Sequence, residues 1–281
     1  MTTIVFDCEV FAHDWLFVFK AHNSEDANPY HIFHNDAEGV KEFIKARPLL
    51  CGFNVKGYDS HVLRAVCDDW INPQIKALND WIIGGKNGWE YPGIREARVY
   101  FDYFDLMDDM QMGLSLKAIE GHLGMDIRES TVSFDLDRPL TEDELAETIY
   151  YCKHDVDATE RLLEERKTYL KNKIMIGQLC GLPPEKSLYM TNAKLTAAYL
   201  QAEKPAKPWT DEREYKYPDN LRWEFIPPEA KAFFDQLQDK TIPDDELWKK
   251  KLDLMVGDCP CVLGFGGIHG AAPYYKEETC E

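Results

Sequence analysis

Short apolar runs rich in β-branched and aromatic residues open the chain. They cover residues 3–11, 15–19 and 30–33, with a short turn after the first and a polar loop before the third. Runs of this length and composition are typical of buried β-strands. Three consecutive strands predict a meander at the start of the fold.

Helical and strand patterns alternate after the meander. Asp36 is predicted to cap a helix with Val40 and Ile44 on its apolar side. Strands are predicted at residues 49–54 and 98–106, and a helical pattern follows each of them. The helix after the second of these strands runs through Leu116, Ile119 and Leu123. Between the two strand–helix units, residues 71–95 are predicted to form an irregular insertion with one short helix around 75–83. This alternation predicts an α/β fold.

A capping box starts the longest predicted helix. Thr141 and Glu144 stand three residues apart, so each side chain can satisfy a free backbone N–H of the other residue. The apolar periodicity continues from there to about Leu170. Tyr151 and Asp155 are four residues apart and are therefore neighbours on one face of this helix.

The pattern after residue 172 is less regular, and it predicts a mostly helical extension over residues 173–281. Its segments are a helix at 195–200, a proline-punctuated linker at 205–228, a helical stretch at 229–254 interrupted at Pro243, a turn at Cys259-Pro260-Cys261, and a glycine-rich connector at 264–270.

Composition indicates an ordinary globular protein. The 281 residues are 44% hydrophobic, which is enough to bury a sizeable core in one large or two modest domains. No apolar run approaches the ~20 residues of a membrane span, and the N-terminus lacks the residue order of a signal peptide. The eight cysteines lack the paired spacing of a zinc site and are expected to be reduced. We therefore expect a cytoplasmic protein without a membrane partner.

The net charge of −18 argues against a protein that holds nucleic acid by a broad basic surface. A broad basic surface binds phosphates through lysine and arginine, and this chain has too few of them relative to its acids. A nuclease remains possible, because divalent cations held by carboxylates supply local positive charge.

Asp7 and Glu9 interrupt the first predicted strand. Side chains two apart on a strand point to the same face, so the two carboxylates lie side by side. A partly buried pair of like charges is costly unless a proton or a hard divalent cation neutralises it. The pair therefore predicts a metal site. The same spacing at Asp36/Glu38 and Asp244/Glu246 falls in polar surroundings that favour solvated helix starts.

Further acids follow in a specific order. Asp59 lies near a predicted strand-to-helix junction, where ligands of α/β sheets are often bound. Asp105 offers either a fifth site carboxylate or a structural hydrogen-bond acceptor, and we favour the structural role. The complete set is Asp7-x-Glu9, Asn54-x-x-x-Tyr58-Asp59 and Tyr151-x-x-x-Asp155.

This set resembles the three exonuclease motifs of the DEDD superfamily. A tyrosine four residues before the last aspartate resembles the DEDDy branch. A more specific resemblance, over roughly residues 1–172, is to the 3′-5′ exonuclease domain of bacteriophage family B DNA polymerases. It rests on the segments 129–132, 138–141 and 151–156. Residues 191–196 and 264–270 are similar to the segment that leads into the polymerase palm.

The resemblance implies a ribonuclease H-like domain, with a mixed central sheet flanked by helices, that hydrolyses DNA 3′ ends to nucleoside 5′-monophosphates. It implies two Mg²⁺ or Mn²⁺ ions, a catalytic Tyr151 that orients the attacking water, and binding of the terminal nucleotide. The implied metal ligands are Asp7, Glu9, Asp59 and Asp155, and the implied substrate contacts are Asn54, Phe53 and Tyr58.

Polymerase palm motifs do not occur before Glu281, so polymerisation by this chain alone is not expected. The resemblance implies the proofreading part of a truncated or split polymerase, with primer-terminus DNA and a polymerase half or another replication protein as partners. If the chain is encoded by a phage, it is expected in the host cytoplasm. Two alternatives remain open, namely a 3′-5′ exoribonuclease and a non-catalytic module that docks to a polymerase.

Overall fold

A five-stranded mixed sheet forms the centre of the first compact unit, which spans Met1–Glu203. The computed structural model describes residues 3–97, 100–110, 113–203, 217, 219–237, 241–247, 249–257, 259–264 and 267–270. The strands of this sheet are β1 (Thr3–Val10), β2 (Trp15–Ala21), β3 (Tyr30–His34), β4 (Leu49–Gly52) and β5 (Asp102–Asp105).

The strand order is β3-β2-β1-β4-β5. β1, β2 and β3 pair antiparallel, which confirms the predicted meander. β4 and β5 are parallel to β1, since a helix-containing connection precedes each of them. The fifth strand is shorter than predicted, and residues 98 and 99 of the prediction lie outside the described residues.

Helices cover both faces of this sheet. Ile4, Phe6 and other even-numbered residues of β1 pack toward helices that precede β5, whereas Val5 packs toward the long helix that begins after Thr141. The α/β class with a mixed, helix-flanked sheet is therefore confirmed. The helices of this unit are α1 (Ala37–Lys45), α2 (Asp59–Cys67), α3 (Asn72–Ile83), α4 (Leu116–His122), α5 (Glu142–Glu165), α6 (Lys167–Leu179), α7 (Pro184–Tyr189) and α8 (Asn192–Tyr199).

The predicted long helix is broken at Arg166 and does not run unbroken to Leu170. The guanidinium of Arg166 donates to the carbonyl oxygens of Leu106 and Asp108, which lie just after β5. This anchor fixes the break between α5 and α6. Because α6 and α7 pack together and α7 packs on β5, the first unit extends past residue 172 to Glu203.

The second compact unit, Lys204–Glu281, contains a sheet that was not predicted. Strands β6 (Lys251–Val256), β7 (Cys259–Gly264) and β8 (Gly267–Gly270) pair antiparallel, after helices α9 (Pro228–Leu237) and α10 (Asp244–Leu247). The expectation of a mostly helical extension is therefore wrong for the described residues between 251 and 270. Leu254 and Leu263 belong to one buried cluster with Phe233, whereas their neighbours along each strand are exposed. This alternation has the two-residue period of a half-buried strand.

The turn predicted at residues 259–261 and the connector predicted at residues 264–270 are also wrong, because described residues of both segments belong to this sheet. Cys259-Pro260-Cys261 lies inside β7 and is not a turn, and Gly264 of β7 pairs with Gly267 of β8. The predicted linker at residues 205–228 lies mostly outside the described residues. The seven described cysteines are free, as expected. Among the described residues, no helix has the length and apolarity needed to cross a membrane.

Candidate metal centre

The central strand β1 presents Asp7 and Glu9 on the sheet face that α5 covers. Their even-numbered neighbours Cys8 and Val10 point into the core on the other face. Asp7 and Glu9 are only partly buried, whereas Cys8 and Val10 are buried. The predicted side-by-side arrangement of the two carboxylates is therefore present.

Helix α5 crosses this face and adds a second set of polar groups. Its start is fixed as predicted, because Thr141 Oγ1 accepts from the backbone N–H of Glu144 and the Glu144 carboxylate accepts from the backbone N–H of Thr141. Cys152 is fully buried, and its thiol donates to Asp7 Oδ2 at 3.5 Å. This contact joins α5 to β1 at the carboxylate pair.

Tyr151 and Asp155 lie on the same helix and interact. Asp155 is 8% exposed. Burial, repulsion from Asp155 and Glu9, and a hydrogen bond to Asp155 raise the pKa of Tyr151 above its ordinary value. The Tyr151 hydroxyl is therefore protonated at neutral pH and is the donor in the hydrogen bond to Asp155.

The loop between β4 and α2 carries the third set. Asn54 is exposed and has a left-handed backbone with φ of 60°. The Asp105 carboxylate holds this loop, because it accepts from the backbone N–H groups of Asn54 at 2.9 Å, Lys56 at 2.8 Å and Met107 at 2.9 Å. The structural role expected for Asp105 is confirmed.

Asp59 is the first residue of α2 and is 3% exposed. The Cys8 thiol donates to Asp59 Oδ1 at 3.3 Å. Because Cys8 lies between Asp7 and Glu9 on β1, this contact brings Asp59 to the strand that carries the carboxylate pair.

Burial, together with repulsion between carboxylates, raises the pKa values of Asp7, Glu9 and Asp59. Burial raises the pKa of Asp7 well above its ordinary value, and repulsion from Asp59, Glu9 and Asp155 adds to the rise. Burial, followed by repulsion from Asp155 and Asp59, raises the pKa of Glu9 from 4.5 to about 8. Burial raises the pKa of Asp59 from 3.8 to about 7. Negative charge at this site is under-compensated, which is the condition under which carboxylates bind a divalent cation.

Two groups of side chains have the spacing of metal ligands. Their ligand atoms lie within 4.8 Å of one another in each group, and the groups are Asp7, Glu9 and Cys152, and Glu120, His154 and Asp155. Among the described residues, neither group contains Asp59. The four predicted metal ligands are thus close enough to perturb one another but are not gathered around a single point.

Lys117 is a site residue that the sequence did not reveal. Its Nζ lies 2.5 Å from Asp155 Oδ1 and 3.4 Å from Glu120 Oε1, and it stands 4.9 Å from the centre of the Tyr151 ring. Its attraction lowers the pKa of Glu9 and partly offsets the repulsion there. A lysine on a short helix carries no distinctive sequence signal, so only the packing of α4 against α5 identifies it.

The three predicted substrate-binding residues differ in availability. Asn54 is exposed, and Phe53 is partly buried against the core on the α5 side. Tyr58 packs against the opposite core and donates its hydroxyl to Asn79 Oδ1 at 2.6 Å. Of the three, Asn54 is the freest to meet a ligand.

A cleft adjoins Glu9. Its volume is about 310 Å³, and Tyr58, Ile83 and Phe134 supply much of its apolar lining. Lys76 and Asn79 add polar groups at its edge. The cleft offers space for a planar ring beside the carboxylates.

Comparison with known proteins gives no match to a family model and no match to a curated protein.

Proposed function

We propose that this chain is a metal-dependent 3′-5′ exonuclease with a ribonuclease H-like fold. The observation that carries the proposal is that β1, α2 and α5 bring four acidic side chains into mutual repulsion around one strand. Those residues are Asp7, Glu9, Asp59 and Asp155. The mixed sheet with helices on both faces is compatible with this fold.

The donor set suits Mg²⁺ or Mn²⁺. Carboxylate oxygens are the ligands these hard cations prefer, and the raised pKa values of Asp7 and Glu9 mark charge that a cation would neutralise. In the proposed site Asp7, Glu9, Asp59 and Asp155 would hold the ions. When bound, two such ions activate water and stabilise the charge that develops on the phosphate.

The remaining side chains have positioning roles in this proposal. The protonated Tyr151 hydroxyl orients the attacking water through a hydrogen bond. The Cys152 thiol, 3.5 Å from Asp7 Oδ2, fixes the rotamer of that carboxylate. Asp105 positions the loop that presents Asn54 to the terminal nucleotide.

The proposed substrate is a single-stranded or frayed DNA 3′ end, and the products are nucleoside 5′-monophosphates. The cleft beside Glu9 accommodates a nucleobase, with Tyr58 and Phe134 on its walls. With a net charge of −18, the chain alone is expected to bind DNA weakly and with strong salt dependence. We further propose, from its motif pattern, that the chain acts as the proofreading part of a phage family B DNA polymerase and that a polymerase half is its partner.

The test uses a 5′-labelled single-stranded DNA, a matched RNA, and a DNA whose 3′-terminal linkage is a phosphorothioate. With Mg²⁺ or Mn²⁺ the DNA is expected to shorten stepwise from its 3′ end and to release nucleoside 5′-monophosphates. EDTA is expected to abolish this reaction, and the phosphorothioate is expected to slow it. Faster degradation of RNA would instead assign an exoribonuclease. Failure to degrade either strand, together with no Mn²⁺ binding in calorimetry, would instead favour a docking module.

A further inference from the structure

A second group of ligand atoms lies beside the carboxylate pair, where α4 packs on α5. Glu120 comes from α4, and His154 and Asp155 come from α5. Glu120 is 1% exposed and His154 is mostly buried. The proposed exonuclease mechanism assigns no role to either Glu120 or His154.

Lys117 occupies only one side of this group. Its ammonium contacts Asp155 Oδ1 at 2.5 Å and Glu120 Oε1 at 3.4 Å. The other carboxylate oxygen of Glu120, Oε2, is fully buried and has no hydrogen-bond partner. Nε2 of His154 is also fully buried and without a partner.

These two unpartnered atoms face each other at 4.0 Å. The gap exceeds the ~2.7–3.2 Å of a hydrogen bond, so the two atoms do not satisfy each other, and a buried polar atom without a partner destabilises the fold. A cation such as Zn²⁺ lies about 2.0–2.2 Å from nitrogen and carboxylate ligands. A single ion between Glu120 Oε2 and His154 Nε2 therefore fits the gap and satisfies both atoms.

We propose that Glu120, His154 and Asp155 form a binding site for a transition-metal dication of the Zn²⁺ or Co²⁺ type. An imidazole nitrogen favours such ions, whereas Mg²⁺ favours an all-oxygen shell. The site is thus chemically distinct from the Asp7 and Glu9 pair, although Asp155 lies between the two.

Occupancy has two consequences. The ion fastens α4 to α5, so Zn²⁺ raises the thermal stability of the chain. It also engages the Asp155 carboxylate, so Zn²⁺ inhibits Mg²⁺-dependent cleavage of DNA. Only the second consequence rests on the proposed function; binding and stabilisation do not require it.

The test is calorimetric titration of the full chain with Zn²⁺, after EDTA treatment and in excess Mg²⁺, together with Co²⁺ absorption spectra. The wild type is expected to bind one tight equivalent, to show the visible bands of low-coordinate Co²⁺ without a thiolate charge-transfer band, and to melt at a higher temperature with Zn²⁺. His154→Gln is expected to weaken this binding by at least about tenfold.

His22→Gln is the matched control. His22 also faces two carboxylates, but its nitrogens already contact Glu160 Oε1 at 3.1 Å and Glu164 Oε1 at 2.7 Å. This variant is expected to keep the tight site. Glu120→Gln provides a second ligand variant, and circular dichroism verifies that each variant is folded.

Equal Zn²⁺ affinity in wild type and His154→Gln, or a thiolate band in both, would overturn the proposal, as would the lack of a tight site in the wild type. Cleavage of DNA with Mg²⁺ alone is scored separately. If the chain binds Zn²⁺ through His154 but does not cleave DNA, the proposed Zn²⁺ site is supported and the proposed exonuclease activity is refuted.

Discussion

Lys117 Nζ lies 2.5 Å from Asp155 Oδ1 and ties α4 to the helix that carries the last motif. Burial alone would lower the pKa of Lys117, but the hydrogen bond and the attraction from Asp155, with that of Glu120, outweigh it and raise the pKa. The ammonium is therefore charged at neutral pH. Lys117 acts as an internal counter-ion for part of the carboxylate charge.

Replacing Lys117 by Met is expected to destabilise the metal-free chain by roughly 1–3 kcal/mol, because Asp155 and Glu120 then lose their counter-ion. Saturating Mn²⁺ is expected to recover more stability in this variant than in the wild type. Urea unfolding with EDTA and with Mn²⁺ measures both quantities. Lys41→Met is the control, since Lys41 pairs with the exposed carboxylates of Glu38 and Asp69. Equal losses in the two variants would contradict the role of Lys117.

Glu9 makes the stability of the metal-free chain depend on pH. Its pKa is about 8 in the folded chain against an ordinary value of 4.5, so between these values the folded state holds a proton that the unfolded state has released. Stability therefore falls as pH rises through this window, by on the order of a few kcal/mol.

Glu9→Gln cannot ionise and is expected to make this decline shallower, while the raised pKa values of Asp7 and Asp59 preserve the rest of it. Thermal melts in EDTA from about pH 5 to about pH 8.5 cover the window in which the folded and unfolded states bind different numbers of protons. The melts compare Glu9→Gln with wild type and with Glu38→Gln, whose side chain is 85% exposed. Mg²⁺ is expected to stabilise the wild type most at the alkaline end. A decline that is as steep in Glu9→Gln as in the wild type would rule out Glu9 as its source.

Asp105→Asn is expected to loosen the loop that presents Asn54. An amide has only one acceptor oxygen, so it cannot satisfy the three backbone N–H groups that the carboxylate accepts from. We expect a loss of roughly 1–3 kcal/mol in unfolding free energy and weaker binding of a DNA 3′ end. Asp102→Asn on the same strand, where the Asp102 carboxylate pairs with the exposed Arg47 at 3.5 Å, is expected to change neither quantity. Wild-type DNA affinity in Asp105→Asn would argue against the positioning role.

Tyr151→Phe is expected to lower the rate of cleavage by roughly 10²-fold, since the ring stays while the water-orienting hydroxyl is lost. Mn²⁺ affinity is expected to remain at the wild-type value because Tyr151 is not a ligand. Tyr150→Phe, at a 56% exposed neighbour, is the control. Loss of Mn²⁺ binding in Tyr151→Phe would show that the hydroxyl acts on the metal shell instead.

Local signals in the sequence predicted the first unit well. The apolar runs of β1, β2 and β3, the Asp36 cap and the capping box at Thr141 all form as expected, because each depends on neighbours in the chain. The break at Arg166 was missed, since it depends on carbonyl groups after β5 that are distant in sequence. β6 was missed because its alternating leucines follow a helix-favouring, proline-interrupted segment.

Some residues of the candidate site could be predicted from sequence motifs, and others could be identified only from the packing of helices. Motif order was sufficient to select Asp7, Glu9, Asp59 and Asp155, and the structure brings these carboxylates near one another. Lys117, Glu120 and His154 escaped prediction, because their roles depend on how α4 packs against α5. Lysines and glutamates are common on helices, so spacing alone does not distinguish these residues.

In the proposed function, Asp7 and Glu9 hold the cations that cleave a phosphodiester bond. Asp7→Asn with Glu9→Gln keeps the size of both side chains and removes both charges. The matched control is Asp36→Asn with Glu38→Gln, which has the same spacing at the start of α1 and retains a capping side chain. Mg²⁺-dependent shortening of a 5′-labelled DNA is expected to vanish in the first double variant and to persist in the second. Undiminished cleavage by the folded Asp7/Glu9 variant would contradict the account.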